Sequence, residues 1–195
     1  VDFDSYRCMK PYSLSFVIAD DNDLMELNSI DIKGNKEKLN KWKKDRCMTK
    51  IGFNCLSEFI DWLAKAHVKL KIDGKTSKNN IFSIITFNGA NFDHFFLLDA
   101  LLYCNRKDIL VKDIFYNNNQ LMKFVINGKD TIFDLRKHLV GSLDYNCKSF
   151  KVNLCAKSSF NHHQAQTLYN EGKLMEFMKG NKELIDYNER DVLSL

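Results

Sequence analysis

The sequence predicts an α/β protein in which a mixed β-sheet carries α-helices on its faces. Three observations lead there. The run Ile81-Phe82-Ser83-Ile84-Ile85-Thr86-Phe87 is apolar, of strand length and bounded by Asn79-Asn80 and Asn88-Gly89, which reads as a buried central strand. Helical patterns flank it: Leu56, Phe59, Ile60 and Leu63 form one stripe before it, and a strongly apolar segment runs from Asn91 to Asn105 after it. Residues 109–133 then hold two or three strand-length segments separated by Asn117-Asn118-Asn119 and Asn127-Gly128, residue types that suit tight hairpin turns. The order strands, helix, strand, helix, strands, helices layers helices on a mixed sheet.

In chain order, Val1 to Tyr6 and Tyr12 to Ala19 read as strands. Asp20-Asp21-Asn22-Asp23 has the chemistry of a hairpin turn leading to a third strand over Leu24 to Ile32, and a turn in water explains these acids better than calcium does. Asn35 to Met48 is polar and lysine-rich, a helical insertion. The helix over Cys55 to Val68 has Ser57 and Glu58 in its first turn, and Gly74 to Asn80 is a loop. From Leu135 onward the pattern is mainly helical, and Asn181 caps a last helix over Lys182 to Leu195. One proline, Pro11, and eight scattered glycines leave no linker, so a single domain over residues 1–195 is expected. The chain opens on Val1 inside strand-like sequence, as expected of a piece of a longer protein.

Composition is that of an ordinary globular protein, with 45% hydrophobic and 28% charged residues. No apolar stretch approaches the roughly 18 residues needed to span a bilayer, so no membrane partner is expected. Six widely spaced cysteines (Cys8, Cys47, Cys55, Cys104, Cys147 and Cys155) form no CxxC pair, and reduced thiols of an intracellular compartment fit them better than disulfides. Cys147 and Cys155 with His162 and His163 do not match a zinc-module spacing, and the two histidines read as surface residues. The net charge of +4 is mild, but Lys36, Lys38, Lys41, Lys43, Lys44 and Arg46 fall in one segment. Such a cluster is ordinarily a solvated helix face, and only other observations turn it toward nucleic acid.

The residues that carry chemistry are acidic and specifically placed. Asp2 and Asp4 stand two apart on a strand, so both point to one side of the sheet. Asp93 follows the apolar strand and opens a helix, in Asn88-Gly89-Ala90-Asn91-Phe92-Asp93. Tyr187 and Asp191 are four apart on the last helix and share a face. Carboxylates from a strand, a strand–helix junction and a helix supply the oxygen ligands that Mg²⁺ requires. Two such ions, roughly 3.5–4 Å apart, can activate a water and stabilise the leaving oxygen of a phosphodiester. His94 beside Asp93 reads as a packing or capping residue rather than a ligand, and Phe95, Phe96, Leu97, Leu98, Leu101 and Leu102 as core.

The order of these sites resembles the three exonuclease motifs of family B DNA polymerases, within the DEDDy group of ribonuclease H-like nucleases. Asp2-Phe3-Asp4 matches the first motif, Asn88 to Asp93 the second, and Tyr187-Asn188-Glu189-Arg190-Asp191 the third. Leu56 to Trp62, Ile132-Phe133-Asp134 and Lys148-Ser149-Phe150-Lys151 are similar to segments of the protein-primed members. The likeness covers nearly all of the chain except residues 33–52. It implies a ribonuclease H-like mixed β-sheet flanked by α-helices, acting as a proofreading 3′→5′ exonuclease on single-stranded DNA with two Mg²⁺ or Mn²⁺ ions. It also implies polymerase palm and thumb domains in a parent chain, and a terminal priming protein as a further partner.

By the same resemblance Asp2 bridges both ions, Asp4 supports one, Asp93 holds the second mainly through water and Asp191 completes the first. Tyr187 positions the attacking water, Lys157 neutralises charge at the scissile phosphate, and Asn88 and Phe92 contact the frayed 3′ end. Two positions depart from the pattern. Asp4 replaces the family's Glu, a methylene shorter by roughly 1.5 Å of reach. Leu135-Arg136 replaces a DNA-binding Ser/Thr-Leu pair, with Arg136 as the candidate for a substitute contact to phosphate. Two other readings stay open: a catalytically degenerate exonuclease fold kept for binding or structure, and a free-standing DEDDy nuclease.

Overall fold

The computed structural model describes residues 11–30, 35–72, 82–104, 106–152, 161–179 and 181–195. Within them the chain runs β1 (Ser13–Val17), α1 (Asp21–Ser29), α2 (Lys36–Arg46), β2 (Cys47–Ile51), α3 (Cys55–Ile72), β3 (Ser83–Thr86), α4 (Asp93–Tyr103), β4 (Val111–Asn117), β5 (Gln120–Ile126), β6 (Asp130–Asp134), α5 (Leu143–Ser149), α6 (His162–Asn170), α7 (Leu174–Met178) and α8 (Lys182–Leu193). Short 3₁₀ turns lie at Gly89–Asn91 and Leu135–Lys137. The protein is α/β, and it divides into two compact units. The described residues of the sheet unit are Pro11–Ser13 and those within Gly52–Asp134; those of the helical unit fall within Leu14–Ile51 and Leu135–Leu195.

Among the described residues the sheet unit holds four strands in the order β3-β6-β5-β4. β3 runs parallel to β6, from Ser83 opposite Thr131 to Thr86 opposite Asp134, and the other two pairings are antiparallel. The asparagine turns form as the sequence predicts. Asn118 and Asn119 take φ of 47° and 60°, and Asn127 and Gly128 take 55° and 64°, the left-handed region that Asn and Gly tolerate. Leu121, Phe124, Val125, Ile126 and Ile132 are the sheet's buried apolar residues, and Leu97, Leu98 and Leu101 of α4 and Phe59, Ile60 and Leu63 of α3 are buried on the helices. Burial of each such side chain contributes about 1.5–3 kcal/mol.

The apolar run over residues 81–87 does not form a central strand among the described residues. β3 lies at the sheet edge, its exposure alternates, and Ile85 is 45% exposed. Two buried aspartates of β6 hold it in place instead. Asp130 accepts the Phe82 N–H at 3.0 Å at one end, and Asp134 accepts the Asn88 N–H at 2.7 Å just past the other.

In the helical unit, the segment read as a turn and a third strand is helix α1. Asp20 and Asp23 form a capping box: the Asp20 carboxylate accepts the Asp23 N–H at 2.9 Å, and the Asp23 carboxylate accepts the Asp20 N–H at 3.1 Å. Acids that suit a turn equally suit a helix start, and Leu27 and Ile30 then fall three apart on one face. The lysine-rich segment is helical over Lys36–Arg46, but the chain straight after it becomes β2, which pairs with β1. Ser15 and Thr49 hydroxyls meet across that pair at 2.7 Å. Ile30, Trp42 and Leu193 form a buried cluster, with Val17, Leu27 and Leu39 packed against it. The C-terminal part is helical as predicted. Asn181 caps α8 by accepting the Leu184 N–H at 3.1 Å.

Candidate functional site

The segment that resembles the second motif lies on the connection from β3 to α4. Asn88 leaves the strand with φ 66°, in the left-handed region that Asn visits most readily after Gly. Gly89–Asn91 then make a 3₁₀ turn, and α4 opens at Asp93. This loop is clamped from β6. The Asp134 carboxylate, 2% exposed, accepts the Asn88 N–H at 2.7 Å and the Ala90 N–H at 3.1 Å. A chain of amides sets the Asn88 side chain: Gln120 Nε2 donates to Asn91 Oδ1 at 2.7 Å, and Asn91 Nδ2 donates to Asn88 Oδ1 at 2.6 Å.

His94 anchors the first turn of α4 from beneath. It is fully buried, with Nδ1 2.6 Å from the Leu121 carbonyl, Nε2 2.7 Å from the Thr86 hydroxyl, and its ring edge-on to Phe124. A carbonyl only accepts, so Nδ1 carries the proton; in the neutral ring Nε2 then accepts from the Thr86 hydroxyl, which also lies 3.3 Å from the Phe133 carbonyl. Burial holds the His94 pKa below its ordinary 6.5, against the opposing effects of the Leu121 hydrogen bond and the Asp134 and Asp93 charges. The imidazole is therefore neutral with both nitrogens engaged, a packing residue as the sequence predicts. Gly89 is required beside it. A Cβ there would stand 2.7–2.8 Å from His94 ring atoms and closer still to the Thr86 hydroxyl.

On this frame the loop presents Phe92, 51% exposed, and Asp93, whose side chain is also exposed. Water reaches the Asp93 carboxylate, yet the surrounding protein costs it hydration and raises its pKa, with a smaller contribution from Asp134. His94 and the Asp93 N–H oppose that rise, but the His94 effect needs a charged ring, which its own lowered pKa denies at neutral pH. Asp93 is thus an accessible carboxylate whose negative charge the protein itself under-compensates. Phe95, one turn on from Phe92 and 37% exposed, meets Tyr116 of β4 at 6.2 Å between ring centroids.

The segment that resembles the third motif lies on α8. Tyr187 is half-buried and Asp191 exposed, on one face of a helix fixed by its Asn181 cap and by the buried Leu184 and Leu193. Glu189, between them in sequence, pairs with Lys43 of α2. Arg136 is exposed on the 3₁₀ turn that follows β6. Asp2, Asp4 and Lys157 lie outside the described residues, as do Cys8 and Cys155. Cys47, Cys55, Cys104 and Cys147 are free thiols, and burial pushes the Cys47 pKa up to about 11, away from thiolate chemistry.

Among the described residues no three His, Cys, Asp or Glu side chains gather as a metal site, and no described helix is long and apolar enough to cross a membrane. Sequence reasoning assigns Asp134 no role, although it organises the whole Asn88–Asp93 loop. An aspartate on the buried face at the end of a strand is the signal that marks it, because an acid there needs backbone N–H partners. Comparison of the chain with protein-family models, with curated proteins and with solved structures finds no match.

Proposed function

We propose that this chain is a 3′→5′ exonuclease domain of a DNA polymerase, of ribonuclease H-like fold, hydrolysing the terminal phosphodiester of single-stranded DNA with two Mg²⁺ or Mn²⁺ ions. The observation that carries the reading is the Asn88–Asp93 loop. It supports an exposed carboxylate short of compensating charge beside an exposed aromatic, on a backbone that Asp134 and His94 hold still. A divalent cation offsets that charge, and an exposed phenyl ring offers a face to an unpaired base. The mixed sheet and the shared face of Tyr187 and Asp191 on α8 agree with the reading.

Asp2, Asp4, Asp93 and Asp191 would hold the ions, which when bound supply electrostatic stabilisation of the attacking and leaving oxygens. Tyr187 orients the attacking water through its phenol. Lys157 and Arg136 place positive charge near phosphate. Asn88, its amide fixed by Asn91, contacts the terminal nucleotide, and Phe92 stacks on its base. The parent polymerase supplies palm and thumb domains, and a terminal priming protein is the partner if synthesis is protein-primed.

Asp4 in place of a longer Glu favours a second reading, a degenerate domain that binds single-stranded DNA without cutting it. One variant series separates the two. If the site is active, Asp4→Ala abolishes Mg²⁺-dependent cleavage as fully as Asp2→Ala, and Asp4→Glu keeps or raises it. If the domain is degenerate, the wild type itself does not cleave. Robust cleavage by Asp4→Ala would remove Asp4 from the site altogether.

A further inference from the structure

Helix α2 lies in the part of the chain that the polymerase resemblance does not cover, yet it is rigidly joined to the helix of the third motif. Trp42 is 2% exposed, donates from Nε1 to the Asp23 carbonyl at 3.2 Å, and shares its buried cluster with Leu193 of α8. Lys43 pairs with Glu189, which stands between Tyr187 and Asp191. Arg46 pairs with Asp23 at 2.6 Å and Glu26 at 3.4 Å, and lies 5.2 Å over the Trp42 ring. Two of the six cations on this helix are therefore neutralised internally, and they fix α2 against α1 and α8.

The other four point elsewhere. Lys36, Lys38, Lys41 and Lys44 are exposed, and none makes an ion pair with a described acid. Lys38, Lys41 and Lys44 are spaced i, i+3, i+6, so they form one row along the helix, about 9 Å long at 1.5 Å per residue. Glu37 and Asp45 are the acids on α2, so positive charge prevails on its outer surface. Its apolar residues, Trp42 and Leu39, face inward, which leaves no apolar face to insert into a lipid surface.

We infer that the Lys38–Lys41–Lys44 row of α2 binds the sugar–phosphate backbone of single-stranded nucleic acid, at nucleotides beyond the one being cleaved. The choice of partner rests on the exonuclease reading. Each of the three lysines carries one ammonium on a long flexible stem, so the row can engage up to three successive phosphates of one strand. Because α2 is fixed to α8, a strand held there is held at a constant position relative to Tyr187 and Asp191.

The test compares the wild-type chain with a Lys38→Gln, Lys41→Gln, Lys44→Gln triple variant. Binding of a long labelled single-stranded oligonucleotide is measured by anisotropy over a salt series in EDTA, where metal-dependent cleavage cannot contribute. The slope of log affinity against log salt becomes shallower by about 2, from roughly 0.7 for each of three phosphate contacts to a single strand. The corresponding triple Lys→Arg variant restores the wild-type slope. An unchanged slope in a Gln variant with wild-type circular dichroism overturns the inference. So does a variant that loses binding only to anionic lipid vesicles while its DNA slope stays unchanged. Cleavage is assayed separately with Mg²⁺: if the wild type fails to cut but the slope still shifts, the exonuclease reading falls and the binding surface stands.

Discussion

Replacing Asp134 by Asn tests how the Asn88–Asp93 loop is held. The carboxylate is 2% exposed and accepts two backbone N–H groups, from Asn88 at 2.7 Å and from Ala90 at 3.1 Å. Asn keeps one acceptor oxygen and turns an NH₂ toward the second donor. One charge-assisted hydrogen bond, worth about 1.5–3 kcal/mol, is lost, and a backbone donor is left facing another donor. Ala90 is fully buried, so water cannot take over that bond if its N–H is the one orphaned. The expected loss is about 2–4 kcal/mol, a large share of the roughly 5–15 kcal/mol that stabilises a typical domain. Urea unfolding followed by circular dichroism measures it. The loop also carries Asp93, so cleavage should fall by about 10²-fold if the loop moves by the order of 1 Å. A stability loss below about 0.5 kcal/mol, the scatter of a neutral surface substitution, would refute the clamp.

Three further outcomes follow from the same loop. The His94 pKa is held below 6.5 in the folded protein, so on acidification the unfolded chain takes up the proton first. Stability present above that value is lost as pH falls from 6.5 toward the folded pKa, and His94→Gln should flatten this part of the urea-unfolding profile. Gly89→Ala places a methyl against the His94 ring and should cost about 1–3 kcal/mol in the same unfolding measurement, as overpacking does. The Asp93 pKa is raised, so its ionisation works against folding: the stability it contributes is greatest below the ordinary carboxylate pKa and is lost as pH rises through the folded value. Asp93→Asn should therefore melt at a higher temperature than wild type at neutral pH while losing cleavage.

Patterns within one element were legible in the sequence, and patterns between elements were not. Helix α3 showed in the spacing of Phe59, Ile60 and Leu63, and the β4–β5–β6 meander showed in its asparagine turns, because each depends on residues close in the chain. Helix α8 showed in its Asn181 cap and in Tyr187 four residues before Asp191. Helix α1 did not, because Asp20-Asp21-Asn22-Asp23 satisfies a turn and a capping box with the same side chains. What supports the helix is Trp42 and Arg46 reaching Asp23 from 19 and 23 residues away. The place of β3 beside β6 depends on pairing with a strand far along the chain, and the role of Asp134 on two N–H groups more than forty residues earlier. Asp93 stood out by residue type and placement and Asn88 and Phe92 only through the family resemblance, while the carboxylate and imidazole that hold their loop are visible only in the fold.

The direction and metal dependence of cleavage test the proposed exonuclease activity most directly. The purified chain is incubated with an oligonucleotide labelled at its 5′ end, single-stranded or in a blunt duplex, with Mg²⁺ or Mn²⁺ and with EDTA. A frayed strand reaches the Phe92 face at once, whereas a paired end must first unstack. The expected result is a ladder shortened from the 3′ end, formed faster from the single strand, absent in EDTA and absent in Asp2→Ala and Asp191→Ala. Cleavage that persists without a divalent ion, or that releases the label first from the 5′ end, would contradict it.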